Sequence, residues 1–276
     1  MKEHLIASTG GKGGTGKSTF AVLLALKRSK EGEKVVLCDG DVECPNDYLL
    51  LNEEIVDPDP IYRELPELDE AECVKCGMCS KVCKENAIFW VEERFPMLFL
   101  DLCSGCGACW ITCPNDAIKP KEELAGESFV NEVNRNLWLV TGRSKPGISE
   151  TGPIVGEVKG RAMKLAGEVG ADRLIVDTSP GTHCNVIQAL LDCGKAYVVT
   201  EPTPLGAHDA GLILELIQKM EIPAEIILNK SDIGDRKPIE KIASDFGVSI
   251  TIEIPYSEEL VRAYSQGKLD EMVDLI

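Results

Sequence analysis

Short apolar runs and amphipathic stretches alternate along most of the 276-residue chain. Residues 4–8 (HLIAS) read as a first strand. Residues 17–30 are apolar almost all round, the pattern of a buried helix, and Glu31-Gly32-Glu33 closes it. The run 35–38 (VVLC) is short and continuously apolar, as in a central parallel strand. Residues 129–141 (FVNEVNRNLWLVT) read as a hairpin at an edge of the sheet, turning near Asn134-Arg135-Asn136. The rhythm then becomes regular. Helices are predicted over 155–168, 185–191, 206–220, 238–246 and 257–266. Strands are predicted over 174–176, 196–200, 224–228 and 249–254. Repeated βα units of this kind imply an α/β fold, a mostly parallel sheet covered on both faces.

Between residues 57 and 119 the rhythm stops. This segment holds eight cysteines, several prolines and no long apolar helix. It reads as a small inserted α+β domain, leaving 1–56 and 120–276 for the α/β host.

Composition narrows the class. At 44% apolar residues the chain can bury a core. A net charge of −17 argues against nucleic acid and anionic membrane surfaces as partners. No apolar leader precedes the glycine-rich stretch at residue 10. No apolar run approaches membrane-spanning length, and the segment 258–276 lacks a basic face. A cytoplasmic, reducing setting is therefore expected, where twelve cysteines read as metal ligands rather than disulfides.

The stretch from Gly10 to Thr19, GGKGGTGKST, lies between the first strand and the first helix. That context makes a phosphate site of it. Gly11, Gly13, Gly14, Thr15 and Gly16 let successive backbone N–H groups face one anion. Lys17 reaches the terminal phosphates, Ser18 can ligate Mg²⁺, and Thr19 completes the nucleotide-binding stretch at the helix N-terminus. Asp39 and Asp41 follow the second strand, and Asp177 ends a later one. All three are expected at the ligand-facing edge of the sheet. Lys12 is unusual, because Lys17 already serves the phosphates of its own chain.

With Lys12 included, KGGTGKST resembles the deviant Walker A loop of the MinD, Mrp and nitrogenase iron-protein superfamily of ATPases. The resemblance implies that Lys12 crosses a dimer interface to the partner's nucleotide. Asp39 and Asp41 resemble the family's first switch, and LIVDTSPGT around Asp177 resembles its Walker B and second switch. One carboxylate would hold the Mg²⁺ shell through water, while Asp41 would orient or deprotonate the attacking water. Asn229-Lys230-Ser231-Asp232 resembles a base-reading motif in which Asn229 contacts the purine. Asp232 also fits the guanine signature of GTPases, but the loop, Lys12 and the switches favour ATP. Glu201-Pro202-Thr203-Pro204, at another strand end, would flank the base or simply turn the chain.

Cys73, Cys76, Cys79 and Cys83 have the spacing C-x2-C-x2-C-x3-C. Cys103, Cys106, Cys109 and Cys113 repeat it, with Pro114 following. In this pattern the fourth cysteine of each run ligates the other cluster. One cluster would take Cys73, Cys76, Cys79 and Cys113, the other Cys103, Cys106, Cys109 and Cys83. The segment resembles a bacterial two-cluster ferredoxin, implying two [4Fe–4S] clusters. The matching tails, Glu85-Asn86-Ala87-Ile88 and Asn115-Asp116-Ala117-Ile118, mark an internal repeat. Lys84 departs from the pattern, which has proline there. Zinc sites usually use separated C-x2-C pairs and fit this spacing poorly.

Cys38 and Cys193 read as packing residues. Cys184 follows the second switch, near where the nitrogenase iron protein holds its subunit-bridging cluster, and Cys44 follows the first. Together they are candidates for a third metal site. The Mrp-type C-x-x-C near the C-terminus is absent, and His183 reads as a surface loop residue.

These features predict an ATP-hydrolysing iron–sulfur protein. It would act as a homodimer, or with a related subunit, and would couple nucleotide state to a redox partner or metal-centre client. A maturation factor that assembles or delivers a metal centre is the alternative. A positioning ATPase with redox-sensing clusters is the third reading.

Overall fold

A computed structural model describes residues 4–276. Its strands and helices follow in the order β1 (Leu5–Thr9), α1 (Lys17–Lys30), β2 (Val35–Asp39), α2 (Asp47–Leu50), β3 (Asp59–Leu68), α3 (Met78–Val82), β4 (Ile88–Phe89), β5 (Met97–Leu98), α4 (Ala108–Ile111), β6 (Ile118–Asn134) and β7 (Leu137–Ser144). Then come α5 (Gly152–Val169), β8 (Arg173–Asp177), α6 (Cys184–Leu190), β9 (Lys195–Thr200), α7 (Pro204–Lys219), β10 (Ala224–Asn229), α8 (Lys237–Phe246), β11 (Ile250–Ile254) and α9 (Glu258–Gln266).

Nine strands form one sheet in the order β11-β10-β9-β1-β8-β2-β7-β6-β3. From β11 to β7 every neighbouring pair is parallel; β6 and β3 are antiparallel additions. All five residues of β1 and of β2 are buried, as strands covered on both faces must be. Their side chains alternate between two cores. Val36 and Cys38 face a core built with α5, α6, α7 and α8. Val35 and Leu37 face a second core with α1, α9 and a C-terminal 3-10 helix, Leu269–Leu275. The predicted hairpin is present but is not the sheet edge. Its first strand begins at Ile118, and β3 pairs along its outer side from Asp59↔Ser128 to Leu68↔Ile118.

The β3–β6 ribbon carries the cysteine-rich segment away from the sheet. It ends in two short helices, α3 and α4, and the small antiparallel pair β4–β5. Cys79, Ile88, Cys109 and Ile118 make a miniature core there, with Leu68, Leu98 and Trp110 against it. Among the described residues, no helix is long and apolar enough to cross a membrane.

Candidate functional site

The glycine loop runs from the end of β1 to the start of α1, at the C-terminal edge of the parallel strands. Gly14 and Gly16 take left-handed backbone conformations, with φ of 79° and 97°. A Cβ on Gly16 would lie 2.3 Å from Asn229 Nδ2, and one on Gly11 2.2 Å from the Asp209 carbonyl oxygen on α7. The loop is therefore pinned between two neighbouring elements, and glycine is required at both contacts. Lys17 is buried, and its Nζ donates to the Lys12 carbonyl at 3.1 Å. Burial lowers the pKa of this ammonium, while Asp177 and then Asp41 act in the opposite sense.

The predicted aspartates converge behind the loop. Ser18 Oγ donates to Asp177 Oδ2 at 2.6 Å. Asp39 accepts backbone N–H bonds from Asp41, Asn46 and Asp47 at 3.1, 2.9 and 3.1 Å, fixing the turn that follows β2. Asp41 Oδ1 accepts from Ser179 Oγ at 3.1 Å, joining the first switch segment to the second. Asp47 escaped the sequence reading, because an acid in the first turn of a helix usually reads as a dipole partner. The fold instead buries it fully, and one carboxylate oxygen each from Asp39, Asp47 and Asp177 lies within 4.8 Å of the others. Both oxygens of Asp47 and Oδ1 of Asp177 lack hydrogen-bond partners. Orphaned buried carboxylate oxygens beside Ser18 fit a hard divalent cation such as Mg²⁺. Burial pushes Asp39 up to about 7 and Asp177 up to about 8, and raises Asp47 well above the usual carboxylate range.

Asn229 is placed at the loop, but its amide donates to the Thr15 carbonyl at 2.9 Å, so it braces the phosphate cradle from the base side. Gly14, Gly16, Thr19, Asn229, Tyr256 and Tyr264 help line a cavity of suitable position for a nucleoside base. Asp232 accepts from the Tyr256 N–H at 2.6 Å and so holds the turn after β11. Glu201 binds Lys12 Nζ at 2.7 Å and Lys230 Nζ at 3.2 Å. Burial pushes the Glu201 carboxyl up, but the two lysine partners outweigh it and hold its pKa below the ordinary value.

The cysteine runs fold as two copies of one device. Cys73, Cys76, Cys79 and Cys113 line one small cavity. Cys83, Cys103, Cys106 and Cys109 line another. Asn86 and Asp116 occupy matching left-handed positions, with φ of 53° and 50°. Each turn aims the next N–H at a thiol, Ala87 to Cys83 and Ala117 to Cys113, both at 3.3 Å. Lys75 (φ 57°) and Gly105 (φ 72°) match in the same way, and Gly105 N–H reaches Cys103 Sγ at 3.4 Å. A zinc ion bound to four thiolates would hold the sulfurs about 3.8 Å apart. Among the described residues, no three thiols lie within 4.8 Å of one another. A cubane, whose ligands are spread over four irons, fits these donor sets better. Burial raises the Cys79 and Cys103 thiols and takes Cys109 to about 11, so loading would release protons.

Cys38 and Cys193 are buried, as expected of packing residues, whereas Cys44 and Cys184 are exposed. Both line one open cleft with Asp41, Glu43, Thr151 and His183. Among the described residues, no three ligands of these types lie within 4.8 Å of one another there.

A glycine loop between β1 and α1, with lysine, serine and strand-end aspartates at the C-terminal edge of a parallel sheet, defines a P-loop nucleotide-binding protein. The chain belongs to the CobQ/CobB/MinD/ParA nucleotide-binding family, whose model matches residues 6–270, and it is a P-loop ATPase. It is 37% identical over 266 residues to an uncharacterised protein of Methanocaldococcus jannaschii, covering 96% of this chain and 90% of that one. It is 25% identical over 282 residues to an iron–sulfur cluster carrier protein of Pyrococcus horikoshii, covering 96% and 78%. The fold matches the septum site-determining protein MinD of Pyrococcus horikoshii, complexed with Mg-ADP. The TM-score is 0.57 at 18% identity, over 99% of this chain and 96% of that one.

Proposed function

We propose that this chain is an ATP-switched iron–sulfur protein. Nucleotide state at the glycine loop governs how two [4Fe–4S] clusters in the segment 57–119 dock with a redox partner or pass electrons to it. The observation that carries this reading is the pair of cavities, each lined by three cysteines of one run and the fourth of the other. The segment that holds them is spliced between the two switches, after Asp41 and before Asp177. Two hydrogen bonds, joined through the backbone of residues 149–151, run from this segment to Glu43, two residues after Asp41. Glu43 accepts from Thr151 Oγ1 at 2.9 Å, and two residues earlier Ser149 Oγ donates to the Asp101 carbonyl at 2.8 Å. Asp101 is two residues from Cys103.

On this reading Lys17 and the loop N–H groups hold the phosphates, and Ser18 with Asp39 and Asp177 positions the Mg²⁺ shell. Asp41, held by Ser179, orients the attacking water. Hydrolysis then rests on placement and charge stabilisation. Lys12 acts across a dimer of two such chains, or of this chain and a related subunit. When bound, the clusters supply reversible one-electron transfer. Mg²⁺, when bound, neutralises developing phosphate charge.

The second reading is a cluster carrier or maturation factor. It is favoured by the relatives that bear that name and by the exposure of Cys44 and Cys184 in one cleft beside the switches. Electron paramagnetic resonance of the anaerobically prepared, reduced protein, with and without Mg-ATP, separates the readings. Two stable, reversible signals that shift with nucleotide support the first. Clusters that leave for an apo-acceptor protein support the second, and signals indifferent to nucleotide would overturn the coupling.

A further inference from the structure

We propose that Glu201 is a positioning residue for Lys12 and that Lys230 is what lets Lys12 leave it. The proposal rests on the reading that Lys12 acts across a dimer.

Lys12 is held at both ends within its own chain. Its carbonyl accepts from Lys17 Nζ at 3.1 Å, and its Nζ binds Glu201 Oε1 at 2.7 Å. The second Glu201 oxygen binds Lys230 Nζ at 3.2 Å. Glu201 is the first residue beyond β9 and Lys230 the first beyond β10, so adjacent strand ends bring all three charges together. The Glu201 side chain is only 14% exposed, against 27% for Lys12 and 40% for Lys230.

That arrangement has a consequence for the departure of Lys12. A carboxylate this buried is costly to leave without a partner. If Lys12 were its only cation, moving Lys12 to another subunit would strand Glu201. With Lys230 on the other oxygen, Glu201 keeps a counter-ion after Lys12 has gone. Arriving phosphate also draws Lys17 from the Lys12 carbonyl, because the same ammonium serves both. The backbone before Lys12 is confined, since Gly11 lies so close to the Asp209 carbonyl that a Cβ there would sit 2.2 Å from its oxygen. Only the Lys12 side chain has to swing. Glu201 thus favours the resting monomer, and Lys230 favours the engaged dimer without contributing a contact across the interface.

The signs of the substitutions follow. Glu201→Gln weakens the resting contact, so dimerisation becomes easier. Lys230→Met leaves Glu201 unpaired once Lys12 departs, so dimerisation becomes harder. In a Glu201→Gln background there is no carboxylate to strand, and Lys230→Met has no further effect. This non-additivity is the signature of a shared partner.

The test is sedimentation velocity of the full chain with Mg²⁺ and a slowly hydrolysed ATP analogue, reading the protein concentration at half-dimerisation. For a part-exposed ion pair the expected shifts are roughly three- to ten-fold, downward for Glu201→Gln and upward for Lys230→Met. The double variant should match Glu201→Gln alone. Thermal unfolding of the nucleotide-free monomer identifies any folding defect. Glu201→Asp, which draws the charge back by one methylene, gives a smaller downward shift and serves if the Gln variant does not fold. An equal Lys230→Met shift with and without the Glu201 carboxylate would overturn the proposal, as would weaker dimerisation of Glu201→Gln. Lys12→Ala is run in parallel. If it dimerises like the parent, the trans-acting lysine itself is wrong and this proposal falls with it. If it blocks dimerisation while Glu201→Gln leaves the midpoint unmoved, only the role of Glu201 is lost.

Discussion

Asp47 sits fully buried with neither carboxyl oxygen hydrogen-bonded, beside Asp39 and Asp177. Burial raises all three acids, to about 7 for Asp39 and about 8 for Asp177. Between the ordinary carboxylate pKa and these values, the folded chain binds more protons than the unfolded one. Stability of the nucleotide-free protein should therefore fall as pH rises from about 4 to about 8. Thermal unfolding across that range, without Mg²⁺, checks the direction. Mg-ATP should restore most of the loss at the alkaline end, since a cation binds the ionised acids. Asp47→Asn should flatten the curve by removing one buried acid, and an unchanged slope would show that Asp47 carries little of it. Spacing made Lys17, Ser18, Asp39 and Asp177 legible in the sequence. Asp47 was not, because only the turn held by the Asp39 carboxylate brings it beneath the site.

At the scale of elements, the loop and the cysteine turns depend on glycine for different reasons. Gly16 combines a φ of 97° with a Cβ position 2.3 Å from Asn229 Nδ2. Gly16→Ala should add backbone strain of about 1–3 kcal/mol and push Asn229 off the Thr15 carbonyl. Equilibrium dialysis with ATP should show the loss of binding while the fold persists. Gly77, at a φ of 71°, would likewise be strained by any side chain, and there a Cβ would meet the Trp90 ring at 2.5 Å. Gly77→Ala should displace the indole packed on Gly77, a residue that lines the first cysteine cavity, read as faster air bleaching of the cluster absorbance. The βα rhythm predicted the parallel strands and their helices to within a few residues. It did not reveal β3, whose alternation is interrupted by Pro60 and Pro66 and by a register shift at Ile61/Tyr62. Pairing with β6 is what makes it a strand.

For the whole molecule, the decisive expectation is crossed dependence between the two cysteine runs. Cys113→Ser should abolish the cluster of the first run, and Cys83→Ser that of the second, each halving bound iron by chemical assay. Loss of the cluster on the mutated cysteine's own run, by site-resolved spectroscopy, would reverse the assignment. Ser149→Ala should leave both clusters loaded but diminish any nucleotide-dependent change in their signals, because it removes the hydrogen bond from residue 149 to the Asp101 carbonyl.

Local spacing by itself determined what depends on consecutive residues: a phosphate loop, two cysteine runs of matching spacing, and a βα rhythm that reads as a mostly parallel sheet. Those features are written within a few residues of one another, where backbone geometry alone brings donors together. The tertiary structure decided the rest. It placed Lys12 on Glu201 and Glu201 on Lys230, set Asp47 beneath the nucleotide site, and made the β3–β6 ribbon the arm that carries the cysteines. These pairings join residues up to 189 positions apart. Such contacts depend on strand order and burial, which no local pattern encodes.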